Sequence, residues 1–412
     1  AGMPISPGLL YGDRRAVEAA ISAGDPPGRG LSPAEDGEFL RMLRWLAQEY
    51  PDAAGYWPAQ AVANAALCGV GAIDAVTAMT ALPVFDFTGW DEAVCASVGV
   101  SPSQLPPVIG GNEPVGTTTA LGGGLDGAAV GAGIIDAFAE QMVAGADTPG
   151  DVLVVFGATL ITWAVVAEWI EFPGLWTVPH TAEGLTLVGG PSNAGGIAKD
   201  WAVSVLQPAS GQESSTPVEM DPREVPVFLP HVRGERVPLH DVDRRGGFAG
   251  LSVAQGPAQM WRSVHEASGF TIRRNLELAG LFPDGVERIV ATGGGSADPQ
   301  WMQAVADATA LPVHTVAEHK GAALGSAYVA RAAAGIVEGL AGASDWARSG
   351  GVVEPDPRWR SACDSRYELF AELSGPPYDP TVSDPTAAGD GGTGSAVPTS
   401  QEPAGGPWSA IA

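Results

Sequence analysis

The feature that most constrains the fold is an uncharged, strongly apolar segment at residues 152–167. It is shorter than the roughly 20 apolar residues that a membrane-spanning helix needs, and Gly157, Thr159 and Thr162 interrupt it. Residues 151–156 read Asp-Val-Leu-Val-Val-Phe, and such a continuous β-branched run is typical of a strand buried on both faces. The segment therefore predicts buried β-strands rather than a membrane span.

Helical and strand-like patterns alternate around this segment. Apolar residues recur at helical spacing, or small residues form a helical pattern, at residues 38–50, 59–67, 91–97, 259–278, 301–310 and 321–334. Short strand patterns occupy residues 288–291 and 312–316. This order predicts an α/β fold in which helices pack on mixed sheets.

Charge and cysteine content exclude several classes of partner. The 412-residue chain has 47 acidic and 21 basic side chains, a formal net charge of −26, which would repel a nucleic acid or an anionic membrane surface. The length predicts about two domains. The single, scattered cysteines Cys68, Cys95 and Cys363, together with the lack of a secretion signal, predict a reducing, cytoplasmic location.

Four glycine-rich turns are candidate binding features, at residues 122–127, 156–159, 189–196 and 292–296. Because glycine has no Cβ, backbone amides can surround a phosphate where a strand turns into a helix, although each turn is also consistent with a plain tight turn. None has the Gly-Lys-Ser/Thr ending of a P-loop or a Gly-x-Gly-x-x-Gly pattern directly after a predicted strand. A P-loop NTPase and a typical dehydrogenase therefore do not fit.

Asp126, near the end of the first turn, is the candidate acid–base residue. Its carboxylate could accept a proton from an alcohol that attacks a phosphoryl group, or it could cap a following helix. The histidines show no metal-site spacing, and no serine lies in a Gly-x-Ser-x-Gly elbow. The Arg233-Gly-Glu-Arg236 segment could hold an anion or form an ion-paired loop.

Several motifs together resemble the FGGY family of carbohydrate kinases, most closely its xylulokinase branch. Residues 246–266 follow the family's second signature, except that His265 stands where an apolar residue is usual. Residues 229–238 resemble its Leu-Pro-x-x-x-Gly-Glu-Arg-x-Pro loop, and residues 293–295 and 321–327 resemble its nucleotide-site turn and closing helix. In the first signature Trp45, Leu46, Gln48 and Glu49 fit, but Met42 replaces the expected lysine.

The resemblance covers about residues 8–373 and implies an α/β, actin/hexokinase-like fold, with two ribonuclease-H-like lobes around a cleft. It places the sugar-side lobe at residues 1–146 and the nucleotide-side lobe at residues 147–374. The first lobe is expected to be incomplete, because no Asp-x-Gly-Thr-Thr/Ser segment precedes Tyr11. Residues 375–412, rich in glycine and proline, are predicted to be a disordered tail.

In this family the aspartate of a Gly-Gly-Gly-x-Asp turn is the general base, while Mg²⁺ neutralises the phosphate oxygens of ATP. That aspartate maps onto Asp126, and Gly127 follows it on the substrate side where Asn is usual. No side chain of this chain is assigned to the metal. The implied ATP-binding residues are Gly157, Ala158, Thr159, Asn193, Gly195, Gly196, Gly294 and Gly295.

The implied function is ATP-dependent phosphorylation of a sugar hydroxyl, with D-xylulose converted to D-xylulose 5-phosphate in pentose metabolism. The resemblance also implies a possible homodimer. The alternative, from another class of protein, is an N-terminally truncated, noncatalytic family remnant that binds sugar, nucleotide or a partner chain.

Overall fold

Helices and strands alternate along the chain, as the sequence pattern predicts. The computed structural model describes residues 3–9, 13–22, 38–119, 122–182, 184–206, 220–241, 243–317 and 321–378. The helices in these ranges are α1 (Arg14–Ser22), α2 (Glu38–Glu49), α3 (Ala59–Cys68), α4 (Ala75–Met79), α5 (Glu92–Ser97), α6 (Asp136–Met142), α7 (Gly196–Leu206), α8 (Pro257–Leu278), α9 (Pro299–Thr309), α10 (Gly321–Ala333) and α11 (Arg360–Ser374).

The strands of the same ranges are β1 (Ile73–Asp74), β2 (Val108–Ile109), β3 (Pro114–Thr117), β4 (Ala129–Gly131), β5 (Asp151–Phe156), β6 (Leu160–Val166), β7 (Trp176–Pro179), β8 (Thr186–Ser192), β9 (Val227–Leu229), β10 (Gly247–Ala249), β11 (Arg288–Thr292), β12 (Val313–Val316) and β13 (Ser349–Val353). Short 3₁₀ turns occur at Pro102–Gln104, Pro222–Glu224, Gly294–Ala297 and Ala341–Trp346.

The apolar segment forms β5 and β6 in the middle of a seven-stranded sheet of order β13-β12-β11-β5-β6-β8-β7. All six residues of β5 are buried, which confirms the predicted strand. β5 runs parallel to β11 and antiparallel to β6, while β8 is antiparallel to both β6 and β7. The sheet is therefore mixed, and the predicted α/β class is confirmed.

Side chains of β5 alternate between two cores, as the period of a strand requires. Val152 and Val154 face a cluster that α8 and α9 cover, whereas Leu153 and Val155 face a cluster on the opposite side of the sheet. Helix α8 contributes Ile272 to the first cluster, where it is fully buried. Burying each such side chain contributes about 1.5–3 kcal/mol to folding.

The residues before β5 build a separate, smaller core. The parallel pair β1–β2 and the antiparallel hairpin β3–β4 are the sheets here, and α2 buries Leu43 against a cluster that includes Tyr56 and Phe85. This helix confirms the predicted amphipathic pattern at residues 38–50. The arrangement is consistent with a partial first lobe.

Helices α6 and α10 cross at very close range. A Cβ on Gly325 would lie 1.9 Å from the backbone oxygen of Ala139, so only glycine permits this approach. The small-residue helix predicted at residues 321–334 is confirmed as α10. Because α6 leads directly into β5, this crossing joins the first part of the chain to the sheet.

The structure describes only the start of the predicted tail. Of residues 375–412, the structure describes 375–378, where the Tyr378 N–H donates to the Pro238 oxygen at 2.9 Å and Arg274 donates to the Gly375 oxygen. These four residues are therefore held against the body. The remainder of the predicted tail, residues 379–412, lies outside the described residues, as does Tyr11.

Candidate functional site

Three of the four predicted glycine turns meet at one edge of the sheet. The turn at residues 157–159 joins β5 to β6, and the end of β8 pairs with the start of β6, so the turn from β8 into α7 lies beside it. The N–H groups of Gly196 and Ile197 donate to the carbonyl oxygens of Gly157 and Ala158, both at 2.9 Å. The first amides of α7 thus lock the two turns together.

The third turn comes after β11, which runs parallel to β5, so both strands end at this edge. Gly293 has a positive φ of 82°, and a Cβ on it would lie 2.8 Å from the Phe156 oxygen. A Cβ on Gly295 would lie 2.7 Å from the Trp301 ring. A Cβ on Gly294, by contrast, would meet no protein atom within 4 Å. Gly294 therefore faces open space while its neighbours hold the turn.

Trp301 lies beneath all three turns and connects them. Its ring packs edge-on against Phe156, with 5.2 Å between centroids. Its indole N–H donates to Ser268 Oγ at 3.1 Å, and the Ser268 hydroxyl donates to the Ala194 oxygen at 2.7 Å. The relative position of the turns is thus fixed by one buried aromatic ring.

Asn193 holds the loop at residues 233–235 in place through hydrogen bonds. Its side-chain amide donates to the oxygens of Arg233 and Gly234 at 3.2 and 3.0 Å, and its backbone N–H donates to Glu235 Oε1 at 2.8 Å. Glu235 is buried and also contacts His231 Nδ1 at 3.0 Å. The loop predicted to be ion-paired is therefore fixed largely through this buried glutamate and its backbone partners.

Asp126 is not part of these three turns; it lies in the fourth glycine-rich turn, outside the large sheet. The exposed turn at residues 122–127 joins β3 to β4, and a positive φ at Gly122, Gly123, Gly124 and Gly127 allows its tight path. The Gly122 N–H donates to Asp126 Oδ1 at 3.3 Å. Since the next element is a strand and not a helix, the interpretation of Asp126 as a helix cap is wrong.

A second exposed carboxylate, Asp136, lies ten residues after Asp126. It begins α6 after β4 and the turn residue Gly133, whose φ is 93°. One helical turn later, Glu140 Oε1 accepts a hydrogen bond from Thr292, which directly precedes Gly293. Asp136 follows a glycine-containing turn between a strand and a helix, whereas the turn at residues 122–127 lies between two strands.

Two second-signature residues, Arg262 and Glu266, form part of a buried charge network. Glu266 is fully buried and is bound by Arg262 at 2.8 Å and by Arg366 through two hydrogen bonds of 2.8 Å. Arg262 also binds Asp307 at 2.7 Å. Arginine suits this role because its planar guanidinium can bind two carboxylates at once. The network fixes α8, which carries the signature, to α9 and α11.

Metal and membrane features are also defined for the described part of the chain. No group of three or more His, Cys, Asp or Glu side chains there is arranged to hold a metal ion. Cys68, Cys95 and Cys363 are free thiols. No described helix is both long enough and apolar enough to cross a membrane.

Comparisons with known proteins agree with the fold. Residues 152–334 match the FGGY family of carbohydrate kinases, C-terminal domain. The xylulose kinase of Bacillus subtilis is 25% identical over 263 residues, 61% of this chain and 52% of that protein. The gluconokinase of the same organism is 28% identical over 174 residues, 39% of this chain and 34% of that protein.

A solved structure, the xylulose kinase from Rhodospirillum rubrum, is 25% identical with a TM-score of 0.74, and the match covers 90% of this chain and 79% of that one. The chain spans about half the length of the curated relatives it matches. The region matched by the family contains six of the seven strands of the large sheet, all but β13, and the three glycine turns. Residues 152–334 therefore form a C-terminal domain of the FGGY family of carbohydrate kinases.

Proposed function

We propose that this protein transfers the γ-phosphoryl group of ATP to a sugar hydroxyl, and that its substrate is a ketopentose such as D-xylulose, giving D-xylulose 5-phosphate. The observation that carries the proposal is the meeting of three glycine turns at the edge where β5 and β11 end. Residues 147–374 would form the nucleotide side and residues 1–146 the sugar side. The xylulose kinase relatives favour a pentulose, although the gluconokinase relative matches as well.

The residues at the turns fit a nucleotide. Gly294 faces open space, and Ala158 and Thr159 lie at the accessible tip of the β5–β6 turn, where the Thr159 hydroxyl and the turn's backbone can meet phosphate oxygens. Gly195 and Gly196 act differently, because close packing and the hydrogen bonds of α7 engage them in the turn itself. Mg²⁺ would enter with ATP as part of the substrate and neutralise charge on its phosphates.

We propose Asp136, in place of Asp126, as the proton acceptor for the sugar hydroxyl. Residues four apart on a helix have Cβ atoms about 6 Å apart, so Asp136 is one turn from Glu140, whose carboxylate touches the residue before the Gly293 turn. Asp136 is exposed and can therefore meet a substrate from solvent. Asp126, in the exposed turn of the β3–β4 hairpin, is the competing assignment.

The test is ADP release with MgATP and a panel of D-xylulose, D-ribulose, L-ribulose, glycerol and gluconate. We expect turnover that depends on one pentulose. Asp136→Asn should then lower kcat by about 10²-fold or more, because the base is lost, whereas the matched variant Asp126→Asn should retain turnover. The reverse pattern would restore Asp126 as the base. Nucleotide binding without turnover on any sugar would favour the noncatalytic alternative.

A further inference from the structure

Three polar side chains from different helices meet at Trp301. Lys199 of α7 forms an ion pair with Asp298, the N-cap residue of α9, and its Nζ lies 4.8 Å from the centre of the Trp301 ring. His265 of α8 stacks on the same ring, at 5.8 Å between centroids and 17° between planes. The side chains of Lys199 and Asp298 are 25% and 27% exposed, so the pair lies at the border between the interior and solvent.

Both members of the ion pair are attached by one backbone hydrogen bond to a glycine of the candidate nucleotide site. The Lys199 N–H donates to the Gly195 oxygen at 3.2 Å, and the Asp298 N–H donates to the Gly295 oxygen at 3.1 Å. Asp298 Oδ1 in turn accepts from the Trp301 N–H at 3.2 Å, which starts α9. The ion pair therefore bridges the turn before α7 and the turn after β11.

His265 is the position at which the chain departs from the family signature. Its side chain is buried, and its Nε2 has no hydrogen-bond partner in the structure, lying 4.0 Å from Asp298 Oδ2. That distance is too long for a hydrogen bond, so an apolar residue would pack here without the desolvation cost of an unpaired nitrogen. The charged groups that face the ring are Asp298, Lys199 and Arg262. The polar imidazole of His265 therefore lies beside both Trp301 and the carboxylate of the Lys199–Asp298 ion pair.

We propose that Lys199 and Asp298 are positioning residues that set the distance between the Gly195 and Gly295 turns through Trp301, and thereby set the affinity for nucleotide. The inference rests on the proposed ATP site. Neither side chain takes part in phosphoryl transfer. The ion pair and the cation–π contact hold α7 and α9 in one relative position, and His265 supports the ring from α8.

The test is isothermal titration calorimetry of MgADP binding to the full chain. Lys199→Met, which keeps a long unbranched side chain but removes its charge, should raise Kd by about tenfold, and Lys199→Arg, which keeps the charge, should stay near the wild-type value. Arg223→Met is the matched control, because it removes the exposed ion pair with Asp221, far in sequence from the turns. It should leave Kd unchanged.

Where Lys199→Met does not fold, Asp298→Asn takes its place, since asparagine still caps a helix but carries no charge for Lys199. Unchanged MgADP affinity in a folded charge-removing variant would overturn the inference while leaving the ATP site in place. Absence of MgADP binding to the folded wild-type chain would overturn the ATP site and the inference together. A rise in KM for ATP without a change in kcat or in KM for the sugar would support positioning.

Discussion

Replacement of His265 by phenylalanine tests whether this buried ring is neutral in the folded protein. Its side chain is only 5% exposed, and burial lowers its pKa from 6.5 to about 4. The nearby charges of Lys199 and Arg262 also lower the pKa, whereas Asp298 opposes the shift. Phenylalanine keeps a flat ring against Trp301 and removes the nitrogen that is left without a partner.

The sign of the pH effect is set by which state binds the proton. Between pH 6.5 and about 4 the unfolded chain protonates this histidine and the folded chain does not, so the free energy of unfolding falls as the pH falls. The slope is at most about 1.4 kcal/mol per pH unit, and across the whole interval the loss is about 3 kcal/mol. For Asp298, burial raises the pKa, but the hydrogen bond from Lys199, the charges of His265 and Lys199 and the Trp301 N–H together lower it below 3.8, so any loss of stability from that group comes as the pH falls below that value.

The assay is urea unfolding of wild type and His265→Phe at several pH values from 8 to 4.5. We expect the variant to lose about 2–3 kcal/mol less stability than wild type over this range, because it lacks the linked proton. His265→Leu provides a second apolar variant in case the larger ring is strained. Parallel pH profiles for wild type and both variants would refute the reasoning, since they would mean that the ring is already ionised or is paired in the folded state.

Two further variants test packing. Arg366→Met leaves part of the fully buried Glu266 charge unpaired and should lower the free energy of unfolding in urea by about 3–5 kcal/mol, whereas Arg358→Met, in an exposed pair, should leave the midpoint unchanged. Gly325→Ala places a methyl group 1.9 Å from a backbone oxygen of α6 and should lower the free energy of unfolding by about 1–3 kcal/mol or more. Its control, Gly247→Ala, has open space at its Cβ and should not lower the urea midpoint. Equal midpoints for both glycine variants would contradict the close crossing of α6 and α10.

The sheet and most helices could be predicted from the sequence because their signals are local. The β-branched run at residues 151–156 admits few structures other than a buried strand, and the spacing of Leu43 with its neighbours gives α2 directly. The antiparallel direction of β6 relative to β5 can also be predicted from the sequence. Only three residues separate it from β5, which is too few for a parallel crossover and requires an antiparallel hairpin.

The choice of carboxylate depended on the secondary-structure element that each glycine turn leads into. Both turns contain glycine, so composition alone does not show which of them leads into a helix. In the structure, Gly122, Gly123, Gly124 and Gly127 have positive φ values, which the tight turn of the β3–β4 hairpin requires of its backbone. The contact of Glu140 with Thr292, which ties α6 to the nucleotide side, joins residues 152 positions apart and has no local signal.

The polar cluster at Trp301 could not be predicted from the sequence either. Lys199, His265 and Asp298 lie on three separate elements, and only the tertiary fold brings them together. Of these three residues only His265 is unusual in the sequence, because it is polar at a signature position that is usually apolar. The signature itself reports packing, because its last residue, Glu266, serves the buried network with Arg366. The resemblance to the family therefore rests partly on packing residues that lie outside the candidate site.

The most direct test of the account is MgADP binding by Gly294→Val, measured by calorimetry beside wild type. Gly294 has open space where its Cβ would lie and no positive φ, so valine should be accepted by the protein but should occupy space that the nucleotide needs. Gly247→Val, also with open space at its Cβ and no positive φ, is the matched control. The account predicts binding to wild type and the control, and a loss of at least about tenfold in affinity for Gly294→Val. Wild-type affinity in folded Gly294→Val would contradict it.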